Sequence, residues 1–320
     1  MTVRWKRVAV LGLVAGLLTA CGSAGKPVDP APVERVERPL PAGVVVGDRP
    51  PPAAAGTDCN ATASLAPQGT GVTPGSTMNA IRQRGKLIVG VDQTTYLFGF
   101  RNPTSGQLEG FDIDIANEIA KAIFGTADGK VQYMAIPSSR REQVLENKLA
   151  DVVVRTYSIT CERLKKVAFS TEYYTAGQRV LAPKVAGVKS LADLKDKKVC
   201  ATKTSTSLRK LASDPAGVVP VSVENWSDCL LLLQQGQVDA VSTDDTILAG
   251  MAAQDPTTEV VGERFTVESY GVGVPKENED MVRFVNAVLE QVRGSAWQTS
   301  YNKWIAPHLG PGTPPAPKYK

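Results

Sequence analysis

Continuous apolar runs of strand length recur along this 320-residue chain from residue 87 onward. Such runs predict strands buried on both faces, and they cover residues 87–91, 131–136, 152–154, 198–202, 218–223 and 238–242. Apolar residues between and after them recur at helical spacing, which predicts helices at residues 111–124, 139–149, 205–211, 226–235, 246–253, 277–293 and 296–305. Strands that alternate with helices predict an α/β fold with largely parallel sheets.

Two short strand-like runs, at residues 178–181 and 270–274, stand apart from this alternation. The first run leads out of one set of elements, and the second leads back to it. We therefore expect these two runs to form a hinge, with a second unit of the fold inserted between two passes of the first.

The pattern at the N-terminus is typical of an export signal. Arg4, Lys6 and Arg7 precede an apolar stretch at residues 8–18, and small residues lead up to Cys21. The stretch is shorter than the ~20 residues that span a bilayer, which favours a secretory signal at residues 1–20 over an uncleaved anchor. Cys21 after two small residues resembles a bacterial lipobox. That implies an extracytoplasmic chain held to the cell membrane by lipid on Cys21.

Low-complexity segments flank the periodic part of the chain. Residues 21–57 contain eight prolines with glycine and alanine between them. Because this segment lacks apolar periodicity, we expect it to be a lipidated, extended tether. Residues 309–320 are also rich in proline, and we expect them to form a flexible tail.

Charge and motifs narrow the function classes. The net charge of +4 falls to +1 when Arg4, Lys6 and Arg7 leave with the signal (4 − 3 = 1), and no basic stripe indicates a nucleic-acid partner. His308 is the only histidine and lies beside a Pro-Gly segment, so a catalytic triad is not predicted. There is no phosphate-binding loop, dinucleotide fingerprint or metal-ligand motif. The sequence therefore predicts a protein that is not an enzyme and needs neither cofactor nor metal.

Four cysteines remain once Cys21 carries lipid, and an exported protein with four cysteines is expected to form two disulfides. Three connectivities are possible, and some of the cysteines could remain buried thiols. We expect Cys200–Cys229, because these two lie in neighbouring strand and helix patterns. We also expect Cys59–Cys161, which would pin the N-terminal segment to the core.

Polar side chains follow most of the predicted strands, at the edge of the sheet where α/β proteins bind ligands. They are Asp92, Ser138, Arg141, Ser158, Arg163, Thr206 and Asp244. A guanidinium binds a carboxylate through two hydrogen bonds, a helix N-terminus favours an anion, and a carboxylate holds an ammonium. Any one of these residues could be a solvated or capping residue. Together they predict a site for a zwitterion.

The chain also carries a set of short motifs. They are Gly-Phe-Asp-Ile-Asp at 110–114, Ser-Ile-Thr-Cys-Glu-Arg at 158–163, Phe-Ser at 169–170, Tyr-Tyr at 173–174 and Val-Asp-Ala-Val at 238–241. Over residues 77–306 the chain resembles the family 3 extracytoplasmic solute-binding proteins of amino-acid ABC importers, in particular the glutamine/glutamate-binding lipoproteins of actinobacteria. The resemblance implies a periplasmic-binding-protein-like fold of two lobes. Each lobe would be a mixed sheet flanked by helices, and two hinge strands would join lobe 1 (58–178 and 272–308) to lobe 2 (179–271).

The resemblance further implies how an amino acid would be held at its two charged ends. Arg163 would bind the α-carboxylate, helped by Ser158 and Thr206. Asp244 would hold the α-amino group, with a contribution from Thr156. One departure from the family pattern falls among these residues, because Ser158 stands where threonine is usual.

Recognition of the ligand's side chain would fall to Arg141, Ser138 and Asp92. Arg141 prefers a carboxylate, whereas Asp92 would repel one and accept an amide. The resemblance therefore implies a mixed range of ligands: glutamate, aspartate, asparagine and glutamine. A second departure is Cys161, which stands where the family usually has aspartate or proline.

The function that follows is that of a monomeric receptor. It would close its lobes on an amino acid and deliver it to a membrane ABC permease. One alternative is a sensor subunit that signals to a membrane partner. Another is a dehydratase-like enzyme on the same fold, for which Glu172 or Asp245 would have to act as general acid. A surface adhesion module, without a small-molecule ligand, is the third.

Overall fold

A computed structural model describes residues 38–52 and 59–320. The predicted signal peptide at 1–20, the lipidation site Cys21 and the tether residues 22–37 and 53–58 lie outside the described residues. Within the described part of the chain, no helix has the length and apolar character needed to cross a membrane.

The first part of the chain forms lobe 1, apart from its initial strand. In order, the elements are β1 (Val45–Val46), α1 (Thr77–Arg84), β2 (Leu87–Val91), β3 (Thr94–Thr95), β4 (Gly99–Arg101), β5 (Leu108–Glu109), α2 (Phe111–Phe124), β6 (Val131–Ala135), α3 (Arg141–Glu146), β7 (Val152–Val153) and β8 (Val167–Phe169). β2 pairs in parallel with β6 and β7, and β8 pairs with a later strand at residues 273–275 that completes this sheet.

The chain then passes into lobe 2 and back again. The elements are β9 (Tyr174–Ala176), β10 (Gln178–Pro183), β11 (Lys198–Thr202), α4 (Thr206–Ser213), β12 (Val219–Val223), α5 (Trp226–Gln234), β13 (Ala240–Asp244), α6 (Asp245–Gln254), β14 (Thr258–Val261) and β15 (Glu268–Tyr270). Lobe 1 is completed by β16 (Gly273–Pro275), α7 (Glu279–Val292), α8 (Ala296–Trp304) and α9 (Ala306–Leu309).

Each lobe is a mixed sheet flanked by helices, as expected. The lobe 1 sheet has the order β6-β2-β7-β16-β8, and β16 runs antiparallel to both of its neighbours. The lobe 2 sheet has the order β1-β12-β11-β13-β10-β14, with β11 parallel to β12 and β13. The predicted α/β fold of two lobes is confirmed.

Helix α2 shows why the Gly-Phe-Asp motif stands where it does. Gly110 has a φ of 127°, and a Cβ built on it would lie 2.3 Å from the carbonyl oxygen of Phe98. A side chain at this position would meet both backbone strain and a steric clash. The chain can therefore turn into α2 directly beneath Phe98, which buries Phe111 and Asp112.

The hinge agrees with its predicted position only at Tyr270, the first residue of the run 270–274. The crossing pair is β9 with β15, in which Tyr174 lies opposite Tyr270 and Ala176 lies opposite Glu268. Residues 178–181 instead begin β10, which pairs on one side with β13 and on the other with β14. The apolar side chains of β10 are buried inside the lobe 2 sheet, so this run is core and not hinge.

Part of the expected tether is a strand. Val45 and Val46 pair antiparallel with Ser222 and Val221, which makes β1 an edge strand of the lobe 2 sheet. Arg49 then donates to the carbonyl oxygens of Ala212 (2.8 Å) and Val218 (2.9 Å). Three consecutive valines at 44–46 supply the β propensity, and β12 supplies an open edge.

The C-terminal residues also differ from the expected flexible tail. The Lys318 N–H donates to the Thr171 hydroxyl over 3.2 Å, and the Tyr319 hydroxyl donates to Glu290 over 3.0 Å. Tyr319 also forms a backbone bridge with Ser64. These contacts fix the end of the segment against lobe 1.

Both expected disulfides are confirmed. Cys59 pairs with Cys161, with Cα atoms 5.9 Å apart, and Cys200 pairs with Cys229, with Cα atoms 5.5 Å apart. The first ties the N-terminal segment to the loop that carries Ser158 and Arg163. The second joins β11 to α5 inside lobe 2.

Candidate ligand-binding site

A pocket lies between the two lobes. Its lining from lobe 1 is Ser138, Arg141, Thr156 and Ser158, and its lining from lobe 2 is Ser205, Thr206, Ser207, Trp226, Thr243, Asp244 and Ile247. The pocket thus gathers six of the eight sequence-predicted ligand residues. The other two, Arg163 and Asp92, lie outside its lining, and each has a different role in the structure.

Arg141 is a buried cation without an acidic partner among the described residues. Its Nε donates to the Ser138 carbonyl oxygen over 3.1 Å, and its guanidinium lies 4.6 Å from the ring centre of Tyr157. Burial and the neighbouring charges of Arg163 and Arg155 lower the pKa of Arg141 to about 9. A ligand carboxylate here would supply the missing counter-charge.

Arg163 bridges the two lobes at the edge of the pocket. Its Nη1 donates to the Ser158 carbonyl oxygen of lobe 1 over 2.7 Å, and its Nη2 donates to the Thr204 carbonyl oxygen of lobe 2 over 3.2 Å. The guanidinium lies 4.9 Å from the Tyr157 ring centre, so both arginines contact the same ring. Arg163 therefore makes a hydrogen bond to each lobe in the closed arrangement.

Asp244 faces Arg141 from the lobe 2 side of the pocket. It ends β13 and precedes α6, but its carboxylate makes no capping hydrogen bond to that helix. Oδ2 accepts from the Tyr270 hydroxyl, whereas Oδ1 is buried without a partner among the described residues. Burial, and then the charge of Glu268, raise the pKa of Asp244 well above its ordinary value. An ammonium group would satisfy both the free oxygen and the charge.

Thr156 is held in an unusual backbone conformation by the Gly-Phe-Asp motif. Its φ is 39°, and its N–H donates to Asp112 Oδ2 over 2.8 Å. Asp112 Oδ1 accepts from the Tyr173 hydroxyl over 2.6 Å, and burial raises the pKa of Asp112 to about 6. The Thr156 hydroxyl is buried without a partner among the described residues, so it is available to a ligand.

Asp92 lies behind the pocket wall and uses its oxygens internally. Oδ1 accepts from the N–H groups of Gln93 (2.7 Å) and Thr94 (2.9 Å). Oδ2 accepts from the Thr95 hydroxyl over 2.8 Å and lies 2.6 Å from Arg155 Nη2. These charges are in contact, although the Nη2 hydrogens are not aligned for a hydrogen bond. The sequence-based expectation that Asp92 contacts the ligand does not match this geometry.

Arg155 was not anticipated from the sequence. It is fully buried, its Nε donates to the Ile136 carbonyl oxygen over 2.7 Å, and its Nη1 donates to the Ser138 hydroxyl over 2.7 Å. The available signal was an arginine directly after the buried valines 152–154, because an arginine in such a position is rare unless it is paired.

Helix α4 supplies the hydroxyl-rich edge of lobe 2. Ser205 is its N-cap and accepts from the Leu208 N–H over 3.0 Å, so its hydroxyl has a structural role. The Thr206 hydroxyl donates to Glu268 over 2.9 Å. Glu268, on the hinge strand β15, is a further buried acid that sequence reasoning missed.

The lobes are closed on each other. Across the cleft, the Ser139 hydroxyl donates to Glu224 over 2.9 Å, and the Arg209 guanidinium donates to Glu162 over 2.6 Å. Inside the cleft, the Thr202 hydroxyl donates to the Ser138 hydroxyl over 3.2 Å. The helix predicted over residues 139–149 begins at Arg141 as α3, and the Ser139 side chain makes this contact between lobes.

Residues 87–307 match the profile of the bacterial extracellular solute-binding proteins, family 3, which is more than half of the chain. The chain belongs to this family. Among similar family members, the ABC transporter glutamine-binding protein GlnH of Bacillus subtilis is 39% identical over 231 residues, which is 72% of this chain and 84% of that protein. The glutamate-binding protein GluB of Corynebacterium efficiens is 30% identical over 247 residues, which is 74% and 83%.

Solved structures of periplasmic amino-acid-binding proteins share the fold of this family member. An ancestral arginine-binding protein bound to glutamine superposes with a TM-score of 0.65 at 37% identity, over 69% of this chain and 98% of that one. The solute receptor for L-cysteine of Neisseria gonorrhoeae superposes with a TM-score of 0.69 at 25% identity, over 73% and 96%.

Glu172 and Asp245, which a dehydratase-like enzyme would need as general acid, do not line the pocket of this solute-binding protein. The Glu172 carboxylate accepts from the Thr175 hydroxyl. Asp245 accepts from Arg264 Nε over 2.7 Å and from the Thr246 N–H over 3.0 Å. Within residues 38–52 and 59–320, no group of histidines, cysteines and acids is arranged to hold a metal ion.

Proposed function

We propose that this protein is a receptor that binds a free acidic or amide amino acid by lobe closure and delivers it, chemically unchanged, to an ABC permease. The observation that carries the proposal is the pairing of unmet charges across one pocket. Arg141, from lobe 1, lacks an acidic partner among the described residues, and Asp244, from lobe 2, keeps one buried carboxylate oxygen free of partners there.

The charges of the site fit an amino acid with an acidic or amide side chain. Asp244 accepts the α-ammonium, while Arg141 and the neighbouring Arg163 favour carboxylates. The hydroxyls of Ser138, Ser158 and Thr156 line the same pocket and provide hydrogen bonds. Glutamate, aspartate, asparagine and glutamine are the ligands proposed on this basis.

The relatives support the same class of ligand and the same kind of partner. GlnH of Bacillus subtilis is an ABC transporter glutamine-binding protein, and GluB of Corynebacterium efficiens is a glutamate-binding protein. We include lipid attachment at Cys21 in the proposal, because it would keep a monomeric receptor close to its permease.

Binding is tested on the mature chain with its disulfides intact. A thermal-shift screen of the standard amino acids should give the largest stabilisation with glutamate, aspartate, asparagine or glutamine, because a ligand that binds only the native state raises its apparent stability. Calorimetry then gives the dissociation constants, and mass spectrometry of the recovered ligand should show no chemical change.

A matched pair of variants assigns the binding to this pocket. Asp244→Asn should abolish the thermal shift, whereas Asp128→Asn, at an exposed position on lobe 1, should leave it unchanged. Stabilisation only by basic or aromatic amino acids, turnover of the ligand, or normal binding by Asp244→Asn would each overturn the proposal.

A further inference from the structure

Arg155 and Asp92 form a buried ion pair behind Ser138. We propose that Arg155 is a specificity-determining positioning residue: it holds Asp92 and Ser138 so that the pocket favours a side-chain carboxylate over a side-chain amide. This inference rests on the proposed function, because it concerns which of the proposed amino acids binds best.

The first step is the hydrogen-bonding state of Ser138. Its hydroxyl oxygen accepts from Arg155 Nη1 over 2.7 Å and from the Thr202 hydroxyl over 3.2 Å. A serine oxygen has two lone pairs, so both are occupied when the lobes are closed. Ser138 can then only donate its own hydrogen, and the ligand atom that meets it must be an acceptor.

The second step is the state of Asp92. A carboxylate one layer behind Ser138 would normally attract an amide NH₂ and repel a ligand carboxylate. Here it contacts Arg155 Nη2 at 2.6 Å, and its oxygens accept from Gln93, Thr94 and Thr95. The pair is 0% and 4% exposed, so solvent screens it little. The positive charge of Arg155 therefore offsets the negative charge of Asp92, so that a ligand in the pocket experiences little repulsion from Asp92.

The third step is the remaining wall. Arg141 carries only donors, and it lies next to Ser138, whose carbonyl oxygen accepts from its Nε. A ligand side chain that reaches Ser138 and Arg141 thus meets donors on both sides. A carboxylate has two acceptor oxygens for them, whereas an amide has one acceptor oxygen and an NH₂ group that neither the Ser138 hydroxyl nor Arg141 can accept from.

The test compares dissociation constants of glutamate and glutamine by calorimetry in four proteins: the parent, Arg155→Met, Asp92→Asn and the double variant. The parent should prefer glutamate. Arg155→Met leaves Asp92 charged and frees a Ser138 lone pair, so the glutamine-to-glutamate ratio of dissociation constants should fall by on the order of tenfold or more. The double variant should recover most of that ratio, because the unpaired charge is gone.

Asp92→Asn provides a second reading should Arg155→Met fold poorly. It leaves Arg155 without its counter-charge, so the preference should shift further toward glutamate. Arg179→Met, which removes a part-buried arginine from lobe 2, is the control for loss of a long cation and should not change the ratio.

The outcomes separate this inference from the proposed function. If the parent binds none of these amino acids, the proposed function itself fails. If the parent binds them but Arg155→Met and Asp92→Asn change both dissociation constants in parallel, Arg155 is only structural and the inference is overturned.

Discussion

Asp244 and Arg141 line the same pocket but do not form an ion pair with each other. Asp244 is buried with one oxygen bonded to Tyr270 and the other without a partner among the described residues. Arg141 stacks on Tyr157 and donates to main-chain oxygens. Such groups are costly to bury without compensation, and this cost favours a ligand that carries both an ammonium and a carboxylate.

Ligand binding should release protons through Asp244. Burial in the closed cleft raises its pKa, and a bound ammonium would lower it again, so below the raised pKa a proton should leave as the ligand enters. Affinity should therefore rise with pH and fall as the pH is lowered through the raised pKa. Calorimetry in buffers of different ionisation enthalpy measures the released protons directly. A binding enthalpy independent of the buffer would contradict this role.

Arg163 should matter more than an exposed contact between the same lobes. Removing it by Arg163→Ala deletes hydrogen bonds from a charged guanidinium to the carbonyl oxygens of Ser158 and Thr204 inside the closed cleft, and a hydrogen bond of this kind contributes about 1.5–3 kcal/mol. We expect at least a hundredfold loss of affinity by calorimetry. Arg209→Ala removes the partly exposed ion pair with Glu162, for which about 0–1 kcal/mol is expected. Equal effects of the two variants would contradict this expectation.

At the scale of elements, the start of α2 joins local backbone geometry to the pocket. Gly110 lets the helix begin beneath Phe98, and Asp112 in its first turn reaches the Thr156 N–H. Asp112 thus positions the pocket loop through the Thr156 N–H. It is also a titratable carboxyl group that is buried in lobe 1.

The titration of Asp112 should appear in the pH dependence of stability. Its pKa is about 6 in the folded chain against an ordinary value of 3.8. A raised carboxyl pKa contributes stability that is present below the unfolded value and is lost as pH rises through the folded one. The difference in unfolding free energy between the parent and Asp112→Asn should therefore fall by about 2 kcal/mol between pH 4 and pH 7. Urea unfolding at several pH values measures it, and a flat difference would refute the assignment.

Several elements have the bounds that hydrophobic periodicity predicts. Residues 87–91, 111–124 and 198–202 have the bounds predicted for them, because buried runs and an amphipathic face are properties of the local sequence. The strand predicted to end at Ser242 continues to Asp244. Its polar C-terminal end pairs with the start of β10 and is buried, which is a tertiary effect.

For the whole molecule, closure depends on how near the lobes can come. Gly250 in α6 of lobe 2 faces lobe 1 so closely that an added Cβ would lie 2.4 Å from the Tyr96 carbonyl oxygen. Neither backbone can yield cheaply, so a larger residue at this position has to separate the lobes.

Gly250→Ala should therefore weaken ligand binding without touching the ligand. Alanine favours the helix by roughly 0.5–1 kcal/mol, but the closed arrangement is disfavoured, and we expect a loss of affinity on the order of tenfold. Small-angle scattering with saturating glutamate should show a larger radius of gyration than the parent. Gly71→Ala, where an added Cβ meets open space, is the matched control. Unchanged affinity and scattering would show that closure tolerates the methyl group.

The sequence by itself determined the α/β fold and most of the residues that line the pocket, because buried strands, helical faces and the residues that follow strands are set by local order. Only the tertiary structure decided that Arg155 takes Asp92 away from the ligand, that Arg163 bridges the lobes, and that valines 45 and 46 extend a sheet. Each of these depends on which distant group comes within about 3 Å, and periodicity along one chain carries no information about that distance.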